Sequence, residues 1–227
     1  MLLSFLLPAL LATTVTSVAL PKQRKYPFSE CLTLTLPSCA LPPPNGTVLK
    51  YVALGLGTQN YTCATPHSTA VPAGNGAKAQ LYDVGWFLEI DQAMIPALPP
   101  MALGMFGMSN GELNLAHMLG LPVLGRHFFN AALQPTFDLF AVNAQLLAKK
   151  VGDIPAPAGA SAGPDGSGAV DWLYLADNSN GNGATFGGIN SVYRVETAGG
   201  KSPPTCANSS ASFEVVYATE YWFYGPP

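Results

Sequence analysis

The sequence predicts an all-β fold, an antiparallel sandwich or barrel of about eight strands carrying a short helical Met-rich insertion. Three observations lead there. Past Val48 the chain is a series of short runs rich in β-branched and aromatic residues, each bounded by Gly, Pro, Asn or Ser. These runs do not alternate with regular helical patterns, as a parallel α/β sheet would require. The 23 glycines and 21 prolines supply turns for many strands, while a 48% hydrophobic content supplies one sizeable core for 227 residues. That composition excludes a disordered tail, a charged coiled coil and a collagen. A net charge of -3, with no basic run beyond residues 22–25, excludes a nucleic-acid binder.

Residues 1–19 (MLLSFLLPALLATTVTSVA) read as a signal peptide. The apolar stretch Leu2 to Ala12 is followed by small residues, with Ser17 and Ala19 at the −3 and −1 positions of a cleavage site before Leu20. A membrane anchor needs about 20 apolar residues. Thr13, Thr14, Thr16 and Ser17 interrupt this run, and no later window reaches that length without proline or glycine. The expectation is a secreted, extracellular protein with no transmembrane segment.

Residues 20–47 form a proline-marked leader, and 48–227 a single all-β domain. Its strands are expected at Val48–Leu54, Gln59–Cys63, Lys78–Val84, Pro135–Phe140, Val170–Leu175, Ile189–Thr197 and Ser212–Tyr224. Residues 156–168 and 178–188 are Gly/Ala/Asn-rich loops. Residues 92–125 are an apolar insertion holding five of the six methionines, with a short helix expected in GELNLAHMLGL from Gly111. Such a stretch can be an adaptable surface for a partner, lipid or hydrophobic ligand, but methionines mostly fill cores. Packing over one end of the fold is therefore the expectation.

Cys31, Cys39, Cys63 and Cys206 all follow the cleavage site, and none forms a C-x-x-C metal pair. Of the three possible pairings, Cys31–Cys39 with Cys63–Cys206 is favoured: the first closes a local loop, the second staples two distant strands. Asn45, Asn60 and Asn208 each open an N-x-[ST] glycosylation signal.

Several motifs invite a sharper reading and fail on context. Gly107-Met-Ser109-Asn-Gly111 matches the esterase nucleophile elbow, but no histidine follows His127 and Glu112 is the only intervening carboxylate. Gly55-Leu-Gly57-Thr-Gln-Asn60 lacks the third glycine and the helix of a dinucleotide site. Asp177 to Asn182 lacks the Gly and Glu of a calcium loop. No histidine lies at the cleavage site to build a polysaccharide-cleaving copper centre. Neither a metal nor a cofactor is expected.

His127 is the candidate general base or metal ligand, with Asp138 or Glu220 beside it. The alternative is a hydrogen-bonded structural histidine. In the strand Ser212–Tyr224, period two places Phe213, Val215, Tyr217, Thr219, Tyr221 and Phe223 on one face. Trp222 and Tyr224, on the other, are a candidate surface for stacking a sugar or a partner side chain. Against this, a tail so aromatic tends to lie centrally in its sheet, with both faces buried.

The strings LKYVALGLGTQNYTC (from Leu49), GRHFF (from Gly125), VDWLYL (from Val170), VYRVETAGGKSPPTC (from Val192) and YATEYWFY (from Tyr217) resemble a secreted family of fungi and bacteria known as a domain of unknown function. Its members often carry the label malate dehydrogenase. The resemblance runs from Leu49 to Tyr224 and implies no activity, cofactor or catalytic residue. The label conflicts with the residues, since that chemistry needs a dinucleotide site and arginines for a dicarboxylate. Only Arg24, Arg126 and Arg194 exist. The leading expectation is a secreted non-enzymatic binding or surface-associated module, for a polysaccharide, cell-surface component or hydrophobic ligand. The alternatives are an extracellular enzyme centred on His127, or a hydrophobic-ligand carrier using the Met-rich insertion.

Overall fold

A computed structural model describes residues 32–108, 119–181 and 183–227. Its framework is eight antiparallel strands: β1 (Val48–Thr62), β2 (Ala73–Asp83), β3 (Val123–Phe129), β4 (Pro135–Leu139), β5 (Ala144–Ile154), β6 (Trp172–Asp177), β7 (Ser191–Gly199) and β8 (Ser212–Gly225). Each pairs with the next and β8 pairs with β1, so the sheet closes into an up-and-down barrel. Closure leaves no unpaired sheet edge. The long β1–β8 ladder, from Val48↔Gly225 to Thr62↔Ser212, makes that closure.

Two runs expected to be separate strands fuse into β1, because the Gly-Leu-Gly step between them continues the strand. The glycines are there for clearance. A Cβ on Gly55 would lie 2.6 Å from the Tyr221 ring, and one on Gly57 would strike the Lys78 carbonyl. Two strands, β3 and β5, were not foreseen: Gly125 interrupts the first, and Lys149, Lys150 and Gly152 dilute the apolar pattern of the second.

Period two along the strands produces two cores. Inside the barrel lie Leu81, Leu124, Phe137, Leu139, Leu146, Val192, Tyr217, Tyr221 and Phe223. The outer faces of β1, β7 and β8 are also apolar (Leu54, Leu56, Tyr193, Val195, Ala218, Trp222, Tyr224) and must be covered. Their cover is helix α1 (Gly85–Ile90), helix α2 (Leu98–Met108) and the leader, which contribute Leu88, Leu98, Ala102, Leu103, Leu34 and Leu41. Pro99 and Pro100 fit the first turn of α2, where backbone N–H groups have no helical acceptor in any case. The leader is fastened at two points. Tyr193 donates to the Pro42 carbonyl at 2.7 Å, and Thr33 bonds the Glu89 carboxylate through its amide and its hydroxyl.

The described part of the Met-rich stretch therefore packs on the side of the barrel, not over an end. Met94 and Met105 lie against the outer core and Met101 is exposed. The helix expected from Gly111 and the Ser109 elbow fall on residues 109–118, outside the described residues. What precedes Ser109 is helix α2, whereas a nucleophile elbow follows a strand.

Cys63 and Cys206 are joined in a disulfide across 143 residues, tying the end of β1 to the β7–β8 loop. Cys31 lies outside the described residues. Cys39 is half-buried and joined to no described cysteine.

Candidate functional site

One end of the barrel is plugged and the other is open. Leu124, Phe137, Leu139 and Phe223 fill the interior toward the start of β3 and the end of β4. Toward the ends of β1, β3 and β5 the lumen widens into a cavity of about 380 Å³, bordered by Gln59, His127, Phe129, Leu133, Phe137, Leu173, Arg194 and Tyr221 among others. A second hollow of about 480 Å³ shares Gln59, Phe129, Leu133, Lys150, Leu173 and Arg194 with it and reaches outward to Asp171 and Lys201. An eight-stranded barrel has just enough interior to be filled by side chains or to hold one small ligand. This one is filled at one end and hollow at the other.

Alternation decides which side chains enter the lumen. In β7, Val192 and Arg194 point inward while Tyr193 and Val195 join the outer core. Arg194 is thereby carried into the barrel and left only 9% exposed. Its Nε and Nη2 both donate to the Asp171 carbonyl, at 3.1 and 2.8 Å. No carboxylate lies within 4 Å of it among the described residues, whose ion pairs join Lys78 to Glu214, Arg126 to Asp138 and Lys150 to Asp153.

The groups around it are neutral at physiological pH. The Tyr217 and Tyr221 hydroxyls hydrogen-bond each other at 2.9 Å, and burial pushes both further up from the ordinary phenol range. His127 is buried, stacked on Phe137 at 4.2 Å between ring centroids, and its Nδ1 donates to the Thr136 carbonyl at 3.0 Å. Burial pulls its pKa down to about 4, with the Arg194 charge acting the same way and the Thr136 bond opposing. On β1, Gln59 also borders the cavity, and its buried Nε2 has no hydrogen-bond partner.

The catalytic grouping expected around His127 is not assembled. Asp138 pairs in register with Arg126 and bonds its guanidinium on the outer surface, one residue out of phase with the inward His127 and Phe137. Glu220 lies on the outer face of β8, fully buried under the outer core, where Oε2 accepts from the Trp222 indole at 2.8 Å and Oε1 has no partner. Of the three candidates, His127 alone borders the cavity. The stacking face is likewise closed: Trp222 and Tyr224 are buried beside α2 and the leader. Asn45 and Asn208 are exposed, and Asn60 is half-buried beside the outer hollow. Among the described residues no group of three or more His, Cys, Asp or Glu could hold a metal ion.

Glu220 has a measurable consequence. Burial first, and the nearby Glu196 charge second, raise its pKa well above 4.5, against the Trp222 bond. The folded protein therefore keeps a proton that the unfolded chain has released above about pH 4.5. Linkage makes stability fall as pH rises from there. Glu220→Gln should be more stable than the wild type at pH 8 and lose less between pH 5 and pH 8 in urea unfolding. Identical slopes for the two proteins would contradict a protonated Glu220.

Fold and site together define a small closed antiparallel barrel with a ligand-sized, cation-bearing cavity at one end. The chain belongs to the family described as "Protein of unknown function (DUF3455)", which it matches over residues 43–225. No curated protein and no solved structure matches it. The malate dehydrogenase label has no support. No helix among the described residues is long and apolar enough to cross a membrane.

Proposed function

We propose that this is a secreted, non-enzymatic binding protein that admits one small molecule into the open end of its barrel. The observation that carries the reading is the cavity of about 380 Å³ between aromatic and aliphatic walls, within the ~300–1,000 Å³ usual for small-molecule sites. It stands where barrels of this size hold ligands. The residues favour binding over catalysis: His127 has no carboxylate partner, and its low pKa makes it a poor base at neutral pH. The Cys63–Cys206 bridge and the leading apolar segment support an extracellular setting.

The test is a titration of the full secreted chain with N-phenyl-1-naphthylamine, a neutral apolar fluorophore. Saturable 1:1 binding is expected. Leu173→Trp, which fills the opening from a half-buried wall position, should weaken it about tenfold, the equivalent of ~1.4 kcal/mol. Absence of saturable binding, or binding indifferent to Leu173→Trp, would overturn the reading.

A further inference from the structure

Resting on the cavity-binding reading above, we infer that the ligand is an amphipathic carboxylate. Its head is held by Arg194 with Gln59, and its apolar body lies between Phe129, Leu133 and Leu173.

Arg194 is the starting point. A guanidinium taken out of water is costly unless an anion or a full set of acceptors answers it. Here it is nine-tenths buried, and two of its five N–H groups share a single acceptor, the Asp171 carbonyl. Tyr217, Tyr221 and His127, on which its charge acts, carry no negative charge at neutral pH. The Asp171 carboxylate borders the outer hollow but makes no ion pair with it. The positive charge thus borders a half-open cavity without a counter-charge.

Gln59 is the second, independent observation. Its Nε2 is a buried donor with no partner, and unmet buried donors are rare in folded proteins. It borders the same cavity as Arg194. A buried guanidinium without a counter-charge and an unmet amide donor beside it call for an acceptor-only anion, and the N–H groups of Arg194 not used on Asp171 can offer a carboxylate a planar fork.

The walls set the remainder of the ligand. Phe129 and Leu173 are half-buried, and Leu133 is 68% exposed on the β3–β4 turn although it borders both hollows. They offer apolar surface. At the rim, Lys150 is paired with Asp153, and Lys149 and Lys201 still outnumber Asp171, a balance that draws anions toward the opening.

Competition against bound N-phenyl-1-naphthylamine tests this, with decanoate and decanol as a pair differing in head charge. Decanoate should compete at least tenfold better than decanol, as a charge-assisted contact implies. Arg194→Gln should abolish that preference by weakening decanoate while leaving decanol within about threefold. Should Arg194→Gln not fold, the wild type decides by salt: a contact to buried Arg194 keeps its preference in 0.5 M NaCl, whereas one owed to rim lysines is screened away. Equal competition by the two ligands, a preference that survives Arg194→Gln, or one that vanishes in salt would overturn the carboxylate assignment while leaving the cavity reading intact. Failure of the fluorophore itself to bind would remove both.

Discussion

Trp222→Ala should lower the stability of the folded protein by about 3–5 kcal/mol, as for other large buried aromatics, and its melting temperature by roughly 6–20 °C. Trp222 is fully buried on the outer face of β8, in the core formed with α2 and the leader. Its removal opens a cavity between layers that cannot collapse, because the β1–β8 ladder holds the sheet in place. It also strips Glu220 of its one hydrogen bond, leaving a buried carboxyl with neither oxygen satisfied. Tyr221→Ala, on the opposite face, should cost a similar amount by emptying the lumen between Phe137 and Phe223. Urea unfolding of the two variants side by side is the check. If Trp222→Ala left stability unchanged, the outer face of β8 would be a surface and not a core.

Loss of the Cys63–Cys206 bridge should cost several kcal/mol, at the upper end of the usual ~2–5, because the loop it closes spans 143 residues. The effect lies mainly in the unfolded chain, whose freedom the bridge restricts. The folded geometry at that end has other supports, with the Cys63 amide donating to Ala211 and the Cys206 amide to Ala70. The double variant Cys63→Ser, Cys206→Ser should therefore keep its barrel, judged by circular dichroism, while unfolding at much lower denaturant. A midpoint indistinguishable from the wild type would refute the stabilising role. Two free thiols in unreduced peptide maps would refute the bridge itself.

The ladder of strands was legible because strand periodicity and turn chemistry are local properties. Ser212–Tyr224 announces itself by its aromatic and β-branched run, and the structure places β8 there within a residue. Where local texture was mixed, as across Gly55 and Gly57 or in Ala144–Ile154, strands were merged or missed. Only the approach of Tyr221 explains Gly55, and only that of the Lys78 backbone explains Gly57; neither is adjacent in sequence.

The site was less legible for the same reason. Arg194 was counted only as one of three arginines, yet a signal existed: period two in Ser191–Gly199 sets it on one face with Val192, a lone cation in a strand otherwise almost wholly buried. Its meaning depends on what is absent around it, and a missing counter-charge is a property of neighbours from other strands. Trp222 and Tyr224 show the converse. Their alternation was correctly read, but whether that face met water depended on α2 and the leader, which fold back over it from elsewhere in the chain.

By itself, then, the sequence determined the secondary-structure class and the phase of each recognised strand, since these follow from residue type and spacing along the backbone; it favoured the Cys63–Cys206 pair among three pairings, and the fold joins it. Tertiary structure alone decided that the sheet closes as a barrel, that β8 is buried on both faces, and that one end of the lumen stays open around Arg194. Those outcomes rest on contacts between segments over a hundred residues apart, and such contacts are fixed by the packing of all eight strands together.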